Sequence, residues 1–174
     1  PADMLSLTGK RGLEAALAAK NIRVEHPETL LDEVWPQRPA MPSEKVYVHN
    51  PAFVSETAAE KLARVRAAMK EHGADAHLVS SLDDIAWITN LRGNDVPFNP
   101  VFLSFLLIGA DKAVLFADHS RFDAEAAAVL QAAGIEARDY AEAAAALAEV
   151  RGSLLVEPNK TAVSTLRLLP ESVR

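Results

Sequence analysis

Three prolines set three residues apart, Pro36, Pro39 and Pro42, constrain this chain more than any other feature. Each lacks a backbone N–H and fixes its own φ, so residues 36–45 read as a stiff, extended, polyproline-like connector. The main boundary falls there, and the 174 residues fit one ordinary domain, or one domain with an incomplete neighbour. Ahead of the connector, the spacing of Leu7, Leu13, Ala16 and Leu17 predicts a helix from Ser6 or Thr8 to Lys20, with Thr8 as N-cap and Asn21 as stop. A short strand at Ile22-Arg23-Val24 follows, then a short helix opened by Pro27 and Glu28 over Leu30, Leu31, Val34 and Trp35.

Beyond the connector the pattern alternates. Residues 46–53 read as irregular or extended, and Ser55 precedes an amphipathic helix through Ala58, Leu62, Val65, Ala68 and Met69 that ends at Gly73. A strand over residues 76–80 leads into Ser81-Leu82-Asp83-Asp84, which has the form of a capping box for a short helix through Trp87 to Thr89, closed by Asn90. Residues 91–100 carry Pro97 and Pro100 and are expected to hold no regular element. Apolar runs at 101–108 and 112–117 around Gly109-Ala110-Asp111 predict a β-hairpin. Helix 121–133, strand 135–139, helix 140–149, strand 153–156 and helix 160–169 complete the list. Crossover units beside a hairpin imply an α/β fold with a mixed β-sheet flanked by helices.

Composition narrows function by exclusion. The chain has no cysteine, so disulfides, thiol catalysis and Cys-ligated zinc are ruled out. A net charge of −6 repels phosphate backbones and anionic lipid, which argues against nucleic acid and membranes as partners. The first residues show no signal-peptide pattern, which suits a cytoplasmic protein. Pro1-Ala2-Asp3 without an initiator Met, and an uncapped end at Arg174, suggest a segment of a longer chain. Val156-Glu157-Pro158-Asn159-Lys160 before one helix also echoes Pro1-Ala2-Asp3-Met4 before another, as expected of two related domains.

Candidate chemistry is sparse. His26, His49, His72, His77 and His119 are scattered, with no metal-ligand spacing among them. Asp118-His119-Ser120 holds the residue types of a hydrolytic triad, but neighbours in sequence rarely point at one another, and a turn with an N-cap explains them better. Asp83 and Asp84 read as acidic residues in the first turn of a helix, where they oppose the macrodipole. No phosphate cradle or nucleophile elbow is present. The loop at 91–100 is the exception. It sets Arg92, Asn94, Asp95 and Asn99 between a Trp-bearing helix and an apolar strand, pinned against the core by two prolines and Phe98. It either presents donors to a ligand or partner, or Arg92 and Asp95 form a local ion pair while the asparagines satisfy the turn.

Residues 81–102, containing D-x-I-A-W-x-x-N-L-R-G-x-D-V-x-x-N-P-V-F, resemble the three-domain Xaa-Pro aminopeptidases, the aminopeptidase P family. Leu31-Asp32-Glu33-Val34-Trp35-Pro36-Gln37-Arg38-Pro39 is similar to the junction between that family's first and second domains. The resemblance implies two creatinase/prolidase N-terminal-like domains ahead of a C-terminal pita-bread domain that holds two divalent metal ions, usually manganese. It implies that residues 1–35 are the tail of the first domain, 36–45 the linker and 46–174 most of the second. The implied reaction is release of an N-terminal residue preceding proline. Nothing here matches the family's Asp-Asp-His-Glu-Glu ligand set, so no catalytic residue, cofactor or metal ligand is assigned to this segment, which is expected to be inactive alone. The implied partners are the catalytic domain of the same chain, a peptide with proline in second position, and a second subunit. The alternatives are a prolidase or creatinase-like hydrolase, and a stand-alone binding or dimerisation module.

Overall fold

A computed structural model describes residues 2–25 and 33–173. Its first helix, α1 (Leu7–Ala18), is capped by Ser6, whose side chain accepts the Gly9 N–H, and not by Thr8. Ser6 wins because it lies one residue outside the first helical turn, where a hydroxyl reaches the free N–H groups. Ile22-Arg23-Val24 pairs with no strand, so the expected strand there is absent. Of the short helix expected from Pro27, Glu33 and Val34 are helical; residues 27–32 lie outside the described residues. Residues 36–45 contain no helix or strand.

Strand β1 (Tyr47–Val48) follows, then α2 (Ala58–Glu71). Thr57 caps α2, since Thr57 and Glu60 exchange side-chain-to-backbone hydrogen bonds in a capping box; Ser55 stands two residues too early. His72 closes the helix and Gly73 takes a left-handed φ of +64°. Next come β2 (Ala76–Val79) and α3 (Leu82–Thr89). Ser81 is the N-cap of α3 but makes no side-chain cap bond, so the predicted capping box does not form. Asn90 ends the helix as expected, at a left-handed φ of +57°.

The hairpin forms from β4 (Phe105–Gly109) and β5 (Ala113–Phe116), closed by Gly109 N–H to Lys112 C=O at 2.8 Å. Residues 101–104 stay outside the strand. Then come α4 (Ala124–Ala132, capped by Asp123), β6 (Ile135–Arg138), α5 (Ala143–Ala148), β7 (Leu154–Val156) and the single turn α6 (Val163–Leu166). The main sheet runs β6-β5-β4-β2-β7, with antiparallel β2-β4-β5 at its centre and parallel β6 and β7 outside. It is the expected mixed α/β sheet.

Alternation along the strands sorts side chains to two faces. Leu106, Ile108, Leu115 and Val79 join Leu62, Met69, Ile85, Ile88, Ala126 and Leu130 in the main core under α2, α3 and α4. Leu78, Phe105, Leu107, Leu154 and Val156 face the other way, toward Leu147 and Val150. The residues after the two echoing segments meet: Ser6 and Ala162 form an antiparallel bridge, with Leu7 N–H to Thr161 C=O at 3.2 Å and Val163 N–H to Leu5 C=O at 2.8 Å. Each of these two residues is the N-cap of a helix.

Candidate functional site

The loop after α3 is built from beneath by a lysine. Lys61 lies on the same face of α2 as Leu62 and Val65, and is only 5% exposed, so its ammonium must find partners inside the protein. It donates to the Trp87 carbonyl at 2.8 Å and to Asn90 Oδ1 at 2.5 Å, and sits 4.5 Å from the centroid of the Trp87 ring. Burial, then the nearby Arg92 cation, hold its pKa below the usual lysine value. Asn90 is held on every side: its amide donates to Glu56 C=O at 3.0 Å, and its own carbonyl accepts His49 N–H at 2.8 Å. The helix therefore ends at a fixed place and in a fixed direction.

From that point Leu91–Arg92 forms a strand, β3, pairing antiparallel with β1 through Tyr47 opposite Arg92 and Val48 opposite Leu91. This overturns the expectation that residues 91–100 hold no regular element; the prolines come late enough to leave the first two residues free to pair. Arg92 is half-buried and donates through Nη1 to the carbonyls of Ala86 and Leu91. Burial lowers its pKa, partly offset by Tyr47. Gly93 passes so close to the following strand lead-in that a Cβ would stand 2.7 Å from Phe102 Cβ and 3.0 Å from the Val101 carbonyl oxygen.

Asp95 does not pair with Arg92. Its carboxylate turns inward and accepts from Leu103 N–H at 2.7 Å and from both terminal nitrogens of Arg121, at 3.0 and 2.5 Å. Arg121 in turn donates through Nε to Glu44 C=O, which ties the loop to the end of the connector. Asn99 donates to Asp83 Oδ1 at 3.1 Å, and Asn94 is exposed. The structure thus gathers Arg92, Asn94, Asp95 and Asn99 into one braced loop, but aims them differently.

Phe98 does not pin this loop to the core. It is fully exposed, at 108% of reference, with a φ of +62°. Asn99 N–H bonds back to Val96 C=O at 3.1 Å, so Pro97 and Phe98 are the two corner residues of a β-turn. A proline followed by a positive φ is the type II pattern, where the second corner ordinarily carries glycine or asparagine. A phenylalanine there costs on the order of 1–2 kcal/mol of backbone strain.

The other candidates resolve as structural groups. Asp118 accepts from the Ser120 N–H and hydroxyl, while His119 faces Asp139 at 3.0 Å, so these three residues form a turn and no triad. His77 Nδ1 lies 2.9 Å from the Leu155 carbonyl across β2 and β7. Asp83 and Asp84 occupy the first turn of α3. Among the described residues, no three His, Asp or Glu side chains are grouped so as to hold a metal ion. Sequence reasoning missed Lys61 and Arg121. Lys61 was findable, because it falls among the apolar positions of α2; Arg121 had no local signal.

Residues 37–174 match the creatinase/prolidase N-terminal domain family. The chain belongs to that family. Among curated relatives of this creatinase/prolidase-type chain, it is 33% identical over 169 residues to "Aminopeptidase P2" of Arabidopsis thaliana, covering 94% of this chain and 24% of that protein. It is 43% identical over 112 residues to a "Probable Xaa-Pro aminopeptidase P" of Fusarium vanettenii, covering 64% of this chain and 18% of that protein. The chain therefore spans a quarter or less of the length of these relatives. Its fold is shared with a crystal structure of X-prolyl aminopeptidase from Caenorhabditis elegans, described as a cytosolic enzyme with a di-nuclear active site. The TM-score is 0.84 at 22% identity, over 98% of this chain and 29% of that one. No helix among the described residues is long and apolar enough to cross a membrane.

Proposed function

We propose that this chain is the non-catalytic N-terminal segment of a cytoplasmic Xaa-Pro aminopeptidase. In this reading residues 1–35 close a first domain, 36–45 link, and 46–174 form a second domain that shapes the substrate cleft or a subunit contact. Catalysis belongs to a pita-bread domain of the same polypeptide. The similarity to aminopeptidase P proteins across nearly the whole chain supports the family role. One structural observation supports the placement of the loop: it is braced by buried polar contacts that a solvent-filled turn does not need.

Two divalent metal ions, manganese in this reading, would supply a polarised carbonyl and an activated water in that other domain. The described residues of this chain do not fit such a centre, and none is given a step in it. What they offer is positioning. Arg92 uses Nη1 for its own backbone contacts, and its remaining N–H groups bond no described residue. They suit a peptide carbonyl or terminal carboxylate, which a guanidinium grips in a fixed plane. Asn94, exposed on the same loop, offers a further amide group, whereas Asn99 gives its own to Asp83.

The test is Arg92→Ala in the full enzyme, with kcat/KM measured on Xaa-Pro-Xaa peptides of increasing length. A loss of about tenfold or more is expected, in keeping with one charge-assisted contact. Unchanged kcat/KM at every length would refute the role of Arg92. Strict preference of the wild-type enzyme for Xaa-Pro dipeptides would make it a prolidase instead.

A further inference from the structure

Phe98 serves neither the core of this chain nor the turn that carries it. The ring is entirely in solvent, and the backbone beneath it adopts a φ that a phenylalanine resists. The backbone of the turn is nonetheless braced on both sides. Asn99 is tied to Val96 by its backbone and to Asp83 by its side chain, and Asp95, one residue before the turn, is locked between Arg121 and the Leu103 N–H. A braced backbone presents the ring from a set position, so docking costs only the freedom of its two side-chain torsions, which suits an interface anchor.

We infer that Phe98 is an anchor that inserts into an apolar, ring-sized pocket on polypeptide outside these 174 residues, on the catalytic domain of the same molecule. The identity of that partner rests on the proposed function; the anchor itself rests on the geometry. Two observations select a partner in the same polypeptide over a second copy of this chain. The matched relatives carry most of their length beyond the segment this chain matches. The turn is also tethered beside the exposed carboxylates of Asp83 and Asp84 on a chain of net charge −6, so the same patches on two copies repel, while a pocket rimmed by Lys or Arg attracts.

The experiment replaces Phe98 with the photo-reactive p-benzoylphenylalanine in the full-length polypeptide and maps the cross-linked peptides. The expected product joins position 98 to residues outside 1–174 of the same molecule. No cross-link, a cross-link within residues 1–174, or a cross-link between two molecules each overturns the inference. In parallel, Phe98→Gly in the 174-residue chain is expected to leave the melting temperature unchanged or raise it; a fall of more than about 3 °C would show that the ring supports this chain's own fold. Xaa-Pro hydrolysis is assayed on the unaltered full-length polypeptide. A cross-link without hydrolysis keeps the anchor and removes the proposed function, and hydrolysis without a cross-link does the reverse.

Discussion

Asp95 and Arg121 meet as a two-pronged ion pair whose side chains are 0% and 4% exposed, across a sequence separation of 26 residues. The pair closes the loop that carries Arg92 and Phe98 onto the 3₁₀ turn His119–Arg121, and Arg121 extends the tie to Glu44. A buried pair of this kind contributes little over a well-packed apolar pair, but losing one member leaves a charge stranded.

Asp95→Asn is therefore expected to cost about 3–5 kcal/mol, which in a chain of this size lowers the melting temperature by roughly 10 °C. The double change Asp95→Leu with Arg121→Met should recover much of that loss. Thermal melts followed by circular dichroism decide the matter: a drop below about 3 °C in the single variant would mean the pair does not hold the loop.

Gly93 offers a separate test of the same loop. Its φ is not left-handed, so the cost of a side chain there is steric alone, set by the 2.7 Å approach to Phe102 Cβ. Gly93→Ala should destabilise by about 1–3 kcal/mol through overpacking. Leucine at 102 keeps the Cβ and backbone that stand in the way, so Gly93→Ala with Phe102→Leu should show close to the sum of the two single losses in a double-mutant cycle. A marked shortfall from additivity would place the clash with the Phe102 ring instead.

At Asn90 two effects separate cleanly. The left-handed φ of +57° favours glycine over alanine, and the side chain also holds Lys61 and the Glu56 carbonyl. Asn90→Gly should lose only the hydrogen bonds, about 1–3 kcal/mol, whereas Asn90→Ala loses those and adds roughly 1 kcal/mol of strain. Equal melting temperatures for the two variants would show that the backbone conformation is not what asparagine serves here. Trp87 fluorescence should change in both, because Lys61 would lose one of the two oxygens that hold it 4.5 Å from the ring.

Most strands and helices of the second piece were legible because their apolar periodicities are strong and their stops are glycines or asparagines, but the helix expected over 160–169 is reduced to the single turn Val163–Leu166 and that expected from 121 starts at Ala124. Gly73, Asn90 and the Gly109 hairpin turn fall where the sequence puts them. Caps were less legible, since Ser6 against Thr8 and Thr57 against Ser55 are choices between similar hydroxyls one or two residues apart. At the loop, the residue types were readable and their partners were not. Asp95 finds Arg121 through a tertiary contact that no local spacing encodes, and Phe98 looks like core until the type II turn throws it outward. Composition says only that a phenylalanine is apolar; the turn decides where it points.

Acid should loosen the end of the sheet where β2 meets β7. Asp75 accepts from the Ser153 N–H at 2.8 Å and from its hydroxyl at 2.9 Å, and these bonds hold the carboxyl below the ordinary aspartate pKa. A carboxylate whose folded pKa is depressed adds stability above its unfolded value, about pH 4, and loses it as pH falls through the folded value. Glu60, bonded to the Thr57 N–H and hydroxyl, and Asp118, bonded to Ser120, carry the same sign. Asp75→Asn keeps the shape but removes the charge. Its melting temperature should fall below that of the unaltered chain at pH 7 and converge with it as pH drops from 4 toward 2. A gap that stays constant over that range would show that the charge of Asp75 plays no part in joining the two strands.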